Sequence, residues 1–68
     1  MKILIIGSGG REHAIADKLN TPENQVFCLP GNPGIWQFAQ RVEVKMNDSE
    51  GLKYFCQVEG IDLVVIGP

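Results

Sequence analysis

The sequence is poor in the features that mark nucleic-acid-binding, metal-binding and membrane proteins. Its six Lys and Arg residues are scattered singly and the net charge is −2, so no basic stripe is present to bind nucleic acid or an anionic membrane surface. A single histidine and the lack of any C-x-x-C spacing predict no metal site. No apolar run approaches the ~18 residues of a membrane span, and no signal-peptide pattern opens the chain, so we expect a cytoplasmic protein.

Cysteine is also scarce, because Cys28 and Cys56 stand alone, far apart and inside apolar runs. This placement favours buried free thiols in a reducing compartment, and a structural disulfide is the alternative. The 68 residues allow one small domain, which buries a smaller fraction of its surface than a typical domain does. We therefore expect the chain by itself to be weakly stable or to self-associate.

An apolar run followed by glycines opens the chain. Residues 2–6 are apolar or β-branched almost without interruption, which is typical of a strand buried on both faces. Gly7, Gly9 and Gly10 follow, and a helical pattern begins at once. Glycines let a ligand approach the backbone closely, while the first N–H groups of a helix lack partners and carry partial positive charge. The stretch therefore predicts a strand, a tight turn and a helix N-terminus that accepts an anion.

The rest of the chain continues the alternation of strands and helices. The patterns predict a helix from Gly10 to about Asn20, a strand at 25–29, a helical turn at 35–39, a strand at 42–46, a helix capped by Asn47 and Gly60, and a strand at 62–66. This order predicts the α/β class, as a half-sized open sheet of about four parallel strands with two main helices.

Spacing within the helical segments also assigns side chains to faces. The expected apolar faces consist of Ala14, Ile15 and Leu19 in the first helix and Leu52, Phe55 and Cys56 in the second. Trp36 and Phe38 are expected to pack in the core or as a lid, with a direct ligand contact as the alternative.

Glycine-rich loops follow the carboxyl ends of three predicted strands, at 7–11, 30–34 and 67–68. In open parallel sheets, ligands bind beyond the carboxyl ends of the strands. Because the three loops then share one edge of the sheet, the sequence predicts a single pocket there.

The first loop departs from the dinucleotide fingerprint G-x-G-x-x-G/A. Its third small residue is replaced by Glu12, and Leu29-Pro30-Gly31 stands where an acidic ribose-binding residue is expected. The lysine and Ser/Thr of a P-loop are missing as well, which excludes a P-loop NTPase. A smaller anion is therefore favoured over a nicotinamide or flavin nucleotide.

Three polar residues after the glycines have structural and functional interpretations side by side. Arg11 either reinforces a phosphate by bidentate hydrogen bonds or is a solvated residue of the first turn. Glu12 complements the helix dipole or contacts a ligand. His13 is more simply a packed or capping histidine than a catalytic base. Their spacing alone decides none of these roles.

Three segments carry a resemblance to a known family. Residues 7–14 (GSGGREHA), after an apolar strand, resemble the start of glycinamide ribonucleotide synthetases, also called phosphoribosylamine–glycine ligases. Residues 30–34 (PGNPG) are similar to the second loop of the family, usually P-G-N-x-G. Residues 61–68 (IDLVVIGP) resemble its third motif, which normally continues with glutamate.

The resemblance implies a Rossmann-like module of the kind that precedes an ATP-grasp fold. Residues 1–68 would be a truncated N-terminal substrate-binding domain, without the ATP-grasp and C-terminal domains. The complete enzyme would join glycine to 5-phosphoribosylamine in purine biosynthesis. It would use ATP and Mg²⁺ (or Mn²⁺) bound outside this segment. The chain alone would contain no catalytic or metal-binding residue and would be inactive.

The resemblance also implies which residues line the phosphoribosylamine pocket. They are Gly9, Gly10, Arg11, Glu12, Gly31, Asn32, Gly67 and Pro68. The expected partners are small-molecule substrates and the remainder of the same enzyme, and the apolar edge of the fourth strand favours self-association of the fragment. A free-standing nucleotide- or phosphate-binding module without catalysis is the alternative.

Overall fold

The computed structural model describes residues 1–67, and Pro68 lies outside them. Within that range the elements are β1 (Lys2–Gly7), α1 (Gly10–Leu19), β2 (Gln25–Pro30), a single 3-10 turn (Ile35–Gln37), β3 (Gln40–Arg41), α2 (Ser49–Glu59) and β4 (Leu63–Ile66). All strand pairs are parallel, and the order across the sheet is β3-β2-β1-β4. The predicted α/β class with four parallel strands and two main helices is confirmed.

The two helices cover opposite faces of the sheet. One buried cluster, against which Ile15 and Leu19 of α1 pack, contains Ile3, Ile5, Ala16, Val26, Cys28, Ile35 and Ala39. The other, against which Leu52, Phe55 and Cys56 of α2 pack, contains Leu4, Phe27, Leu29 and Val42. Because side chains alternate between the faces of a strand, β1 and β2 each contribute side chains to both clusters, as their continuous apolar runs predict.

The buried stripe of α1 differs from the predicted one. Ala14 is exposed, whereas Ala16 is fully buried against the sheet. The inward positions are Glu12, Ile15, Ala16 and Leu19, which are spaced three, four and seven residues apart as one helical face requires. A glutamate therefore occupies the first position of a stripe that is otherwise apolar.

The predicted strand at 42–46 is wrong. β3 consists of Gln40 and Arg41, and the Val42 N–H still donates to the Cys28 carbonyl at 2.9 Å. In a parallel ladder, the next bond to β3 would come from the N–H of Pro30, and proline has none. The ladder therefore ends there, and the alternating pattern of residues 42–46 does not become a strand.

The ends of α2 follow capping chemistry. The N-cap is Asp48, one residue later than predicted, and its Oδ1 accepts a hydrogen bond from the Gly51 N–H at 2.9 Å. Gly60 closes the helix as predicted, with a left-handed φ of 73° that favours glycine.

The outer side of β4 is the most exposed apolar part of the sheet. Among the described strands β4 pairs with β1 alone, and Leu63, Val64 and Ile66 are exposed, Ile66 to 72%. Self-association through this edge stays a prediction. No helix within residues 1–67 has the length and apolar character needed to cross a membrane.

The capping assignment predicts unequal effects of two neighbouring substitutions. Asp48→Ala removes the acceptor for Gly51 N–H and should lower the free energy of unfolding by about 1 kcal/mol. Asn47→Ala, the matched control at an exposed position, should change it by less than about 0.5 kcal/mol. Urea unfolding of the two variants measures both values, and equal losses would contradict the assignment.

The two thiols are free and should differ in reactivity. Burial raises the pKa of the Cys28 thiol, an effect that the Arg41 guanidinium partly offsets, whereas Cys56 is only partly buried. A raised pKa leaves less thiolate near pH 8, so Cys28 should react more slowly with a thiol reagent than Cys56. Labelling of the native chain should show a fast and a slow phase. The fast phase should be absent from the Cys56→Ala variant, which is the control. A fast phase that persists in this control would overturn the prediction.

Candidate functional site

The three predicted loops meet at the carboxyl end of β1. The Gly31 N–H donates to the Gly7 carbonyl at 3.1 Å, and the Gly67 N–H donates to the Ile6 carbonyl at 2.9 Å. The shared edge predicted from the glycine-rich loops is therefore present for the described residues, while Pro68 lies beyond them.

Asn32 joins the first and second loops through its side-chain amide. Its Nδ2 donates to the Ser8 carbonyl at 2.8 Å, and its Oδ1 accepts from the Ile35 N–H at 3.0 Å. The Asn32 carbonyl also accepts from the Trp36 N–H at 2.9 Å. Both ends of the amide are used inside the protein, so Asn32 fixes the shape of the second loop against the first.

Glu12 turns into the molecule at the same junction. Only 5% of its surface is exposed, and its Oε2 accepts a hydrogen bond from the Gly9 N–H at 2.9 Å. The carboxylate thus satisfies one of the unpaired N–H groups at the N-terminus of α1. The anion at the turn formed by residues 7–11 is therefore the carboxylate of Glu12, a residue of the chain itself.

Two exposed N–H groups of the first turn remain available to a ligand. Within residues 1–67, the backbone N–H groups of Gly10 and Arg11 make no hydrogen bond. Gly10 and Arg11 are exposed, and a Cβ placed on Gly10 would meet no atom within 4 Å. The turn therefore combines free donors with the positive end of α1, and the side chain of Arg11 is exposed at the same turn.

The side chain of His13 packs against Phe38 and Gly34. Its ring lies 5.8 Å from the Phe38 ring, centroid to centroid, and a Cβ on Gly34 would lie 2.6 Å from its Cε1. The interpretation of His13 as a packed histidine is confirmed. The imidazole acts as a spacer between α1 and the second loop.

Trp36 and Arg41 form a second feature beside the carboxyl end of β2. The Trp36 Nε1 donates to the Pro30 carbonyl at 2.9 Å, and the guanidinium carbon of Arg41 lies 4.4 Å from the centroid of its ring. Next to this pair is a cavity of about 340 Å³, lined by Leu29, Pro30 and residues 41–46. None of the predicted substrate-binding residues lines it.

The side chains that could bind a metal ion are dispersed over the part of the chain that the structure describes. No group of three or more His, Cys, Asp or Glu side chains within residues 1–67 has the geometry to hold a metal ion.

The residue type of Glu12 and its place in the first turn do not decide its role, although the sequence contains a signal for its burial. Position 12 stands three, four and seven residues before Ile15, Ala16 and Leu19, so the same helical face that enters the core must also carry Glu12. A carboxylate at the start of such a stripe can be buried only where a donor meets it, and the glycine turn supplies one.

Four parallel strands with glycine-rich loops gathered at one carboxyl edge define a Rossmann-like α/β domain. Residues 1–68 match the family described as "Phosphoribosylglycinamide synthetase, N domain", and the chain belongs to this family.

Relatives from bacteria and an insect support this membership. The chain is 43% identical over 70 residues to the phosphoribosylamine–glycine ligase of Caldanaerobacter subterraneus subsp. tengcongensis, covering 100% of the chain and 17% of that protein. It is 46% identical over 72 residues to that of a Nostoc species, covering 100% of the chain and 17% of that protein. A trifunctional purine biosynthetic protein, adenosine-3, of Chironomus tentans is 42% identical over 74 residues, covering 98% of the chain and 5% of that protein. The chain therefore spans a small part of each relative.

The bridging role of Asn32 predicts a graded loss of stability. Asn32→Asp keeps an acceptor for Ile35 N–H but loses the donor to Ser8, which should cost about 1 kcal/mol of unfolding free energy. Asn32→Ala loses both bonds and should cost more. Gln37→Ala, at an exposed position of the same turn, is the control. Denaturant unfolding measures the series, and an Asn32→Asp chain as stable as the parent would refute the bridge.

Proposed function

We propose that this chain is the N-terminal, phosphoribosylamine-binding part of an ATP-dependent ligase that joins glycine to 5-phosphoribosylamine in purine biosynthesis. Family membership and relatives named phosphoribosylamine–glycine ligase support the proposal. The structural observation that carries it is the pair of free, exposed N–H groups at Gly10 and Arg11, located where the three loops meet. A phosphate monoester is the kind of anion that such a helix N-terminus accepts.

The proposed pocket would bind the phosphate by backbone and side chain together. The N–H groups of Gly10 and Arg11 would donate to phosphate oxygens, and the Arg11 guanidinium would add a charge-assisted, bidentate contact. The predicted substrate-binding residues Gly31, Asn32 and Gly67 would border the sugar side, with Asn32 setting the loop shape through its bonds to Ser8 and Ile35. Pro68 is proposed at the same edge, outside the described residues.

The remaining chemistry is proposed to lie in other parts of a longer polypeptide. ATP with Mg²⁺ or Mn²⁺ would bind in an ATP-grasp region outside residues 1–68 and would supply the phosphoryl group that activates glycine. The 68-residue chain alone is expected to be inactive. A cytoplasmic location belongs to the same proposal, and free thiols of the kind found here are usual in reducing compartments.

The proposal predicts activity in a full-length enzyme that carries this chain. Residues 1–68 would replace the matching N-terminal residues of the Caldanaerobacter relative, and ADP release would be measured with glycine and phosphoribosylamine. Release that depends on both substrates is expected. Arg11→Ala should raise the KM for phosphoribosylamine about tenfold, because a charge-assisted hydrogen bond is lost.

Lys18→Ala is the matched control, since Lys18 is an exposed cation in the last turn of the same helix. It should leave the KM unchanged. A folded hybrid that releases ADP no faster with both substrates than with neither would contradict the proposal. If the hybrid is inactive but ribose 5-phosphate still binds the 68-residue chain, the alternative of a phosphate-binding module without catalysis is favoured.

A further inference from the structure

Glu12 is the one buried charged side chain among the described residues, and it lies against both the first loop and the end of β4. We propose that Glu12 is a positioning residue. Its carboxylate holds the first loop in the form that presents the N–H groups of Gly10 and Arg11 to a phosphate-bearing ligand, and it sets the distance to Gly67. The identity of that ligand rests on the proposed function, whereas the coupling of the loops does not.

The hydrogen bond to Gly9 is the first contact that supports this role. The Oε2 of Glu12 accepts from the Gly9 N–H at 2.9 Å, which fixes the residue immediately before α1. A buried carboxylate is costly unless a donor or positive potential compensates it, and the N-terminus of α1 provides both. Because the Gly9 N–H is already used, a ligand would meet the next N–H groups along the turn.

The surrounding glycines are the second observation. A Cβ on Gly7 would lie 2.5 Å from Glu12 Cγ, and one on Gly9 would lie 2.9 Å from Oε2. A Cβ on Gly67 would overlap Oε1. These three glycines come from two different loops, yet each leaves room for the same side chain. Gly10 has no such neighbour, so its free side faces outward.

Charge decides between positioning and direct contact. A carboxylate beside a phosphate is repelled by it, and Glu12 is almost completely covered by protein. The carboxylate therefore acts on the ligand only through the backbone that it holds. This differs from Arg11, which is exposed to solvent.

A double-mutant cycle on the 68-residue chain tests the coupling to β4. Gly67→Ala should lower the folding equilibrium constant roughly tenfold when Glu12 is present, because the carboxylate must leave its place. In a Glu12→Ala background the same substitution should have little effect. Gly10→Ala, where a Cβ meets nothing, is the matched control and should behave alike in both backgrounds. Additive effects of the first two substitutions would overturn the coupling.

Kinetics of the full-length hybrid test the positioning role. Glu12→Ala should raise the KM for phosphoribosylamine about tenfold with kcat nearly unchanged. Glu12→Gln, whose amide oxygen still accepts from Gly9 N–H, should restore most of the lost affinity. If Glu12→Ala does not fold, the KM values of Glu12→Gln and Gly67→Ala for phosphoribosylamine are compared instead.

The outcomes separate this inference from the proposed function. If the parent hybrid is active and Glu12→Ala leaves its KM for phosphoribosylamine unchanged, the positioning role is refuted and the proposed function stands. A fall in kcat at constant KM would also refute it, because it would indicate action on the reacting atoms. An inactive parent hybrid would refute the function, and the double-mutant cycle would then decide the coupling alone.

Discussion

The pairing of β1 with neighbours on both of its edges is the constraint on which the rest of the structure depends. β2 and β4 pair with its two edges in parallel register, while the two buried clusters under α1 and α2 cover the side chains of Ile3, Leu4 and Ile5 on the two faces of the sheet. The loops that leave β1, β2 and β4 must then start from the same level. Backbone bonds to the carbonyls of Ile6 and Gly7 hold two of those loops beside the first. The candidate site is thus a product of strand order and parallel direction.

Much of this fold could be predicted from the sequence because its signals are local. Uninterrupted apolar runs indicate β1 and β2, and the left-handed glycine at Gly60 ends α2 as expected. The failure at 42–46 has a different origin. Alternation is also local, but a strand needs a partner with free N–H groups, and Pro30 on the neighbouring strand has none. A pattern in one segment cannot contain that information about another.

The candidate site was predictable to a different extent. The convergence of the loops followed from topology, and the packed state of His13 agreed with its simplest interpretation. The burial of Glu12 does not follow from its residue type, because glutamate is usually exposed and only its place on the inward face of α1 indicates otherwise. The bridging amide of Asn32 depends on distances between loops 24 residues apart, which spacing along the chain does not define.

The sheet joins the start of the chain to its distant part, and this has a consequence for the order of synthesis. The Lys2 N–H donates to Asp62 Oδ2 at 2.7 Å, and the Asp62 N–H donates to the Lys2 carbonyl at 2.8 Å, across a separation of 60 residues. On the ribosome, β1 emerges first and β2 follows after a short crossover, whereas the other edge of β1 has no partner until β4 has been synthesised. Until residues 63–67 have left the exit tunnel, Glu12 has no Gly67 beside it and the third loop is absent. The three loops can therefore meet only after β4 has joined the sheet.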